Sequence, residues 1–314
     1  MDDDGGEQPI DLTGRACRRI AADVRSVFAR LGIAIDATPI GDDVTEVEWL
    51  GTAAGPVATL LDDSRVDRER FVAAFAKAVR ARRVARALAL CEGVRGFQTV
   101  LRHLKNLRLG AASGEATQAW DQLLEVEIAA AASGADLPVE FAEPDLRISD
   151  GEAWYSVACK RPASEESVPG ALAKAIRQIE RYPFPGVAII SAERFIAHPS
   201  PTLSAAEVQR AYRTQLERLN RRLHDAQRSS AWGAEAHSPP FGGITVAAVL
   251  VYSTLTVYQE ERRGVQTAFV AYDSVAVRNR GLTGRPWRRL GPFLGAFQLT
   301  LKRGHRRLVA HVAD

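Results

Sequence analysis

Three side chains near the middle of this 314-residue chain, Glu127, Asp145 and Lys160, are of types that work together in one kind of chemistry. Carboxylates hold hard divalent cations such as Mg²⁺, which take oxygen ligands. A cation held in this way polarises a phosphate, helps generate hydroxide and stabilises charge on the leaving oxygen. A lysine beside it orients the attacking water and offsets the negative charge of the transition state. Two acids and a lysine brought to one place are therefore a set suited to phosphodiester hydrolysis. Lys160 stands out for a further reason, because the chain uses only 5 lysines against 36 arginines.

The elements that must position these residues are legible between about 116 and 191. "TQAWDQLLEVEIAAAA" has helical periodicity, and its stripe of Trp120, Leu123, Leu124, Glu127 and Ala131 is expected to face a sheet. A carboxylate on such a stripe is costly without a partner. If the stripe is misread, Glu125 takes its place. "LPVEF", "DLRISD" and "EAWYSVACK" read as three short strands, the last two joined through the turn "SDGE". Asp145 opens the second strand. Alternation along the third puts Trp154, Ser156, Ala158 and Lys160 on one face, and Tyr155, Val157 and Cys159 on the other. "PGALAKAIRQIERY" is a helix stopped by Pro183 and Pro185, and "GVAIIS" is a buried-type strand. The order of helix, three strands, helix and strand implies an α/β fold with a mixed sheet.

Around this segment, residues 14–31, 66–91 and 96–109 read as helices, and residues 32–50 read as extended, with "TEVEWL" alternating like a half-buried strand. "GAASGEA" at 110–116 is the best boundary, giving a mainly helical region 1–112 and an α/β region 113–314. A capping box, Ser204 to Glu207, opens a polar helix running to about Arg228. "ITVAAVLVYSTLTVY" and "VQTAFVAYDSVAV" are β-branched and aromatic, as additional C-terminal strands should be.

Charge narrows the partners. The net charge of +3 hides an acidic N-terminal part, with 15 acidic against 8 basic side chains in residues 1–70. Residues 77–108 and 274–314 each carry 9 basic and 1 acidic. Two basic segments suit a phosphate backbone. Arg102, Lys105 and Arg108 share a helical face, as do Lys174, Gln178 and Arg181. Arg161 beside Lys160, and Arg285, Arg288, Arg289, Lys302 and Arg303 in the basic tail, are further candidates for nucleic-acid contact. The N-terminus lacks an apolar signal-like core, and no apolar run is long enough for a membrane helix, so a cytoplasmic protein without a membrane partner is expected. Cys17, Cys91 and Cys159 show no CxxC or Cys/His ligand spacing and read as reduced thiols. No Walker loop, GxSxG or zinc-binding histidine pattern occurs.

Glu127, Pro144-Asp145, Ala158-Cys159-Lys160 and Gln178-Ile-Glu-Arg-Tyr182, in that order and element context, resemble the PD-(D/E)XK nuclease superfamily, the restriction-endonuclease-like fold. The resemblance covers about residues 116–191. It implies a restriction-endonuclease-like core of helix, three strands, helix and strand, Mg²⁺-dependent cleavage of DNA with Mn²⁺ as a substitute, and a role in restriction, phage (antiviral) defence or repair. It implies that Asp145 and Glu127 are metal ligands together with the backbone carbonyl of Cys159. Lys160 would be the water-orienting cation, and Gln178 a site-shaping residue of a QxxxY motif. The sequence departs from the family at Ala158, where the pattern asks for an acid two residues before the lysine. Another acid could substitute from the following loop or helix, Glu165, Glu166 or Glu180, whereas Glu152, on the right face but six residues away, about 20 Å by strand rise, is a poor substitute. Without a substitute the chain is expected to cleave little or not at all, whether the alanine is natural or engineered. A non-catalytic binding module of the same fold and a helical scaffold are the alternatives. Homo-oligomers and other protein subunits stay open as partners.

Overall fold

Apolar residues spaced by three and four positions build the N-terminal half from helices. The computed structural model describes residues 14–53, 68–106, 113–134, 136–195, 245–260 and 265–278, with residues 210, 214, 215, 217–219, 221, 222 and 225 among the rest. Helix α1 (Gly14–Arg30) buries Cys17, Ile20, Ala21, Val24 and Phe28 along one stripe. Helix α2 (Pro39–Ala53) occupies the segment whose alternation suggested a strand. The local pattern of "TEVEWL" is overridden by the longer spacing of Ile40, Val44, Val47 and Leu50, all buried, and Pro39 suits a first helical turn. Helix α3 (Arg68–Leu90) packs against α1, α2 and the later α5. Its buried positions are largely alanines (Ala74, Ala78, Ala81, Ala85 and Ala87), which let its neighbours approach closely. Helices α4 (Phe97–Asn106) and α5 (Ser113–Ser133) follow.

The second half is one mixed, six-stranded sheet whose spatial order equals its chain order. Strands β1 (Val139–Ala142), β2 (Asp145–Ser149) and β3 (Trp154–Lys160) form an antiparallel meander. The chain then crosses through helix α6 (Val168–Ile179) to β4 (Gly186–Ser191), which lies parallel to β3 with Ala158 opposite Ala188. A parallel neighbour requires such a crossover. Gly186 lets α6 close onto the sheet, since a Cβ there would stand 2.3 Å from Ile179 and 2.8 Å from the Ser156 carbonyl. Strand β5 (Thr245–Glu260) runs parallel to β4 only as far as Val251, and pairs along its length with antiparallel β6 (Val265–Arg278). The described residues between 210 and 225 are helical, as the capping box predicts.

The two sheet faces carry different side chains of β3. Tyr155, Val157 and Cys159 join Leu146, Ile148, Val187, Ile189 and the buried residues of α1–α5 in one continuous core. Ala158 joins Val168, Leu172, Ala175, Ile176, Ile179, Ala188 and Ile190 in a smaller core beneath α6. The expected alternation on β3 therefore holds. The boundary at 110–116 is a change of sequence character, and buried residues on both sides of it belong to the larger core.

Candidate active site at the ends of β2 and β3

The meander sets the first residue of β2 beside the last residues of β3, which brings Asp145 to Lys160. Asp145 Oδ2 accepts the backbone N–H of Cys159 at 2.6 Å and the Lys160 ammonium at 3.1 Å. The same ammonium donates to the Cys159 carbonyl at 2.7 Å. Lys160 Nζ is thus held between a carboxylate and a carbonyl, and the Lys160 and Asp145 side chains keep only 18% and 11% of their surface exposed. Asp145, Lys160 and the Cys159 carbonyl, three groups that the resemblance places in one site, meet here.

Helix α5 supplies the third wall, through Asp121 and through Glu125, the alternative to Glu127. Asp121 and Glu125, one turn apart, are the α5 acids whose charges act on Asp145 and Lys160. Burial pushes the Glu125 carboxyl well above its ordinary value, and the negative charge of Asp145 adds to this while Lys160 opposes it. Burial also raises Asp145, against the pull of Lys160 and the Cys159 amide. It raises Asp121 too, whose Oδ1 is buried with no hydrogen-bond partner. The donor set offered by Asp121, Glu125, Asp145 and the Cys159 carbonyl is all oxygen. That chemistry, together with the orphaned Oδ1, fits a hard cation such as Mg²⁺. As the side chains stand, no group of three or more His, Cys, Asp or Glu among the described residues is drawn together tightly enough to hold an ion.

Glu127 is placed elsewhere. Its Oε2 lies 2.9 Å from Arg83 Nε, Arg83 reaches Glu193 at 2.6 Å, and Glu193 pairs with Arg161 at 3.3 Å. The expected stripe fails because α5 is buried on most of its circumference between α3 and the sheet, so apolar periodicity does not single out one inward face. Arg161 is likewise corrected from a nucleic-acid contact to a buried residue. Its guanidinium stacks 4.3 Å from the Trp120 ring centroid, and Arg80, bound to Asp43, approaches the same ring at 4.9 Å. These network residues were missed in the sequence, where Arg83 and Glu193 are 110 positions apart. Asp121 and Glu125 carried a signal in their four-residue spacing.

Ala158 is completely buried in the core beneath α6, on the opposite side of β3 from Cys159 and α5. The acids considered as its substitutes are directed elsewhere. Glu165 pairs with Arg218 and Arg222 at 2.8 and 3.2 Å, while Glu166 and Glu180 are exposed. Gln178 is partly buried on α6 with an Oε1 that has no partner, and Tyr182 donates to Glu143 at 3.1 Å, two residues before Asp145. Lys174 and Arg181 are exposed, as are Arg102 and Lys105 on α4. Arg108, Arg285, Arg288, Arg289, Lys302 and Arg303 lie outside the described residues. None of the three cysteines is in a disulfide, and all three are buried. No helix among the described residues is long and apolar enough to cross a membrane.

No family model, no curated protein and no solved structure matches the chain.

Proposed function

We propose that this chain hydrolyses phosphodiester bonds in DNA, as a Mg²⁺-dependent endonuclease with a restriction-endonuclease-like core, acting in the cytoplasm in restriction, phage defence or repair. The observation that carries the reading is the Lys160 ammonium held between Asp145 and the Cys159 carbonyl, at a sheet end where α5 adds carboxylates. Asp145 and Glu125 would hold the cation, with Glu125 in the role that the sequence assigned to Glu127. When bound, Mg²⁺ or Mn²⁺ supplies Lewis acidity and an activated water. Lys160 contributes positive charge beside the scissile phosphate. Tyr182 fixes Glu143 and so the turn that leads into Asp145, and Gln178 on the same helix shapes the wall. Lys174 and Arg181 are exposed and free to meet the phosphate backbone.

Ala158 favours one second reading, a DNA-binding module of the same fold that does not cut. Supercoiled plasmid incubated with the full chain and Mg²⁺ or Mn²⁺ decides between the two. Nicking that is lost in Asp145→Asn and Lys160→Ala supports the nuclease. Salt-dependent DNA binding without nicking leaves the binding module. Neither binding nor nicking removes both readings.

A further inference from the structure

Lys160 Nζ stands on two oxygens, Asp145 Oδ2 at 3.1 Å and the Cys159 carbonyl at 2.7 Å. A divalent cation held at this strand end would take those same two donors. An ammonium and a divalent cation repel each other too strongly to share them. The surroundings also hold more carboxyl groups than one lysine can pair. Asp121, Glu125 and Asp145 act on one another there, and Asp121 Oδ1 is buried without a hydrogen-bond partner. Ala158, two residues before Lys160 and on the same face of β3, offers no oxygen.

Resting on the metal-dependent reading above, we propose that Asp121 and Glu125 of α5 supply the ligands that β3 lacks at Ala158, and that the Lys160 ammonium and the divalent cation compete for Asp145 and the Cys159 carbonyl. Binding the cation is then a ligand exchange. The ammonium leaves two oxygens, the cation takes them, and no bond other than these contacts is made or broken. The expelled ammonium, still tethered beside the site, becomes the charge that meets a phosphate. Loading the site and arming it are one event, and the ligand class is a hard, oxygen-seeking divalent cation.

The test is binding of Mn²⁺ alone to the full chain, read by electron paramagnetic resonance of the free ion. Lys160→Met is expected to tighten Mn²⁺ by at least about tenfold, because the competing charge is gone. Lys160→Arg, which keeps that charge, stays closer to the wild type. Asp121→Asn and Glu125→Gln are each expected to weaken binding by roughly tenfold or more, as loss of a metal-site carboxylate does. Circular dichroism melts establish that each variant is folded, and Lys77→Met, beside Asp43 and in no proposed site, serves as the charge control. Unchanged or weaker binding in folded Lys160→Met overturns the competition, and wild-type affinity in both Asp121→Asn and Glu125→Gln overturns the ligand assignment. Failure of plasmid nicking with this Mn²⁺ pattern intact counts against the nuclease reading alone. Nicking without the pattern counts against this inference alone.

Discussion

The Nε of Arg83 lies 2.9 Å from Glu127 Oε2, with both side chains shut off from water at 1% and 5% exposure. A buried pair of this kind is expensive to break from one side, because the remaining charge is left unpaired. Glu127→Ala is expected to cost about 3–5 kcal/mol of stability. In whatever fraction stays folded, metal affinity should be unaltered. Glu125→Gln is expected to do the reverse, leaving stability unchanged or slightly raised because it removes one of several mutually repelling acids. Urea melts and Mn²⁺ titrations of the two variants check this, and equal behaviour in both assays would contradict the division of labour between the two acids.

Placing a glutamate at 158 is the obvious way to complete the family pattern. Here it would insert a longer, charged side chain among Leu172, Ala175, Ala188 and Ile190. Overpacking alone costs about 1–3 kcal/mol, and an unpaired buried carboxylate adds to it. Ala158→Glu is therefore expected to lower the melting temperature clearly without raising nicking. A stable variant with faster nicking would show that the strand acid reaches the site after all.

Salt dependence separates surface cations from structural ones. Each phosphate contact contributes about 0.9 to the slope of log affinity against log salt. Lys174→Gln and Arg181→Gln should each reduce that slope by about one contact's worth without changing the melting temperature. Arg161→Gln should lower the melting temperature and leave the slope alone, since Arg161 is buried against Trp120 and Glu193.

The cysteines give a pH test independent of the site. Burial pushes the Cys91 thiol up to about 12 from an ordinary value of 9.0. Between those values the unfolded thiol ionises while the folded one keeps its proton. Its contribution to stability is thus complete below pH 9 and is lost as pH rises toward 12. Iodoacetamide at pH 8 should label Cys91 only on unfolding, as followed by intact-mass spectrometry. Rapid labelling in buffer would contradict the burial.

The sheet and its flanking helices were legible because each short strand of the meander is bounded by turn residues and because α6 carries one clean apolar stripe. The pairing of Asp145 with Lys160 was equally legible, since an antiparallel meander must return one strand end to the other. What sequence could not resolve is rotation. Helix α5 is covered on several sides, so Glu125 and Glu127 are equivalent to any periodicity argument, and only the positions of Arg83 and Glu193 separate them. Helix α2 shows the opposite failure. Six residues of alternation imitated a strand inside a longer helical spacing of Ile40, Val44, Val47 and Leu50.

Arg83 comes from the helical region before residue 112, whereas its two acids, Glu127 and Glu193, come after it. Neither portion is therefore electrically complete when separated. A chain begun at 113 would retain two interior acids that have lost their shared guanidinium, although Arg161 would still lie beside Glu193. The N-terminal helices supply counter-charge to the sheet as well as apolar cover. Shortened versions that keep every proposed site residue are thus expected to fail in folding before their chemistry can be measured.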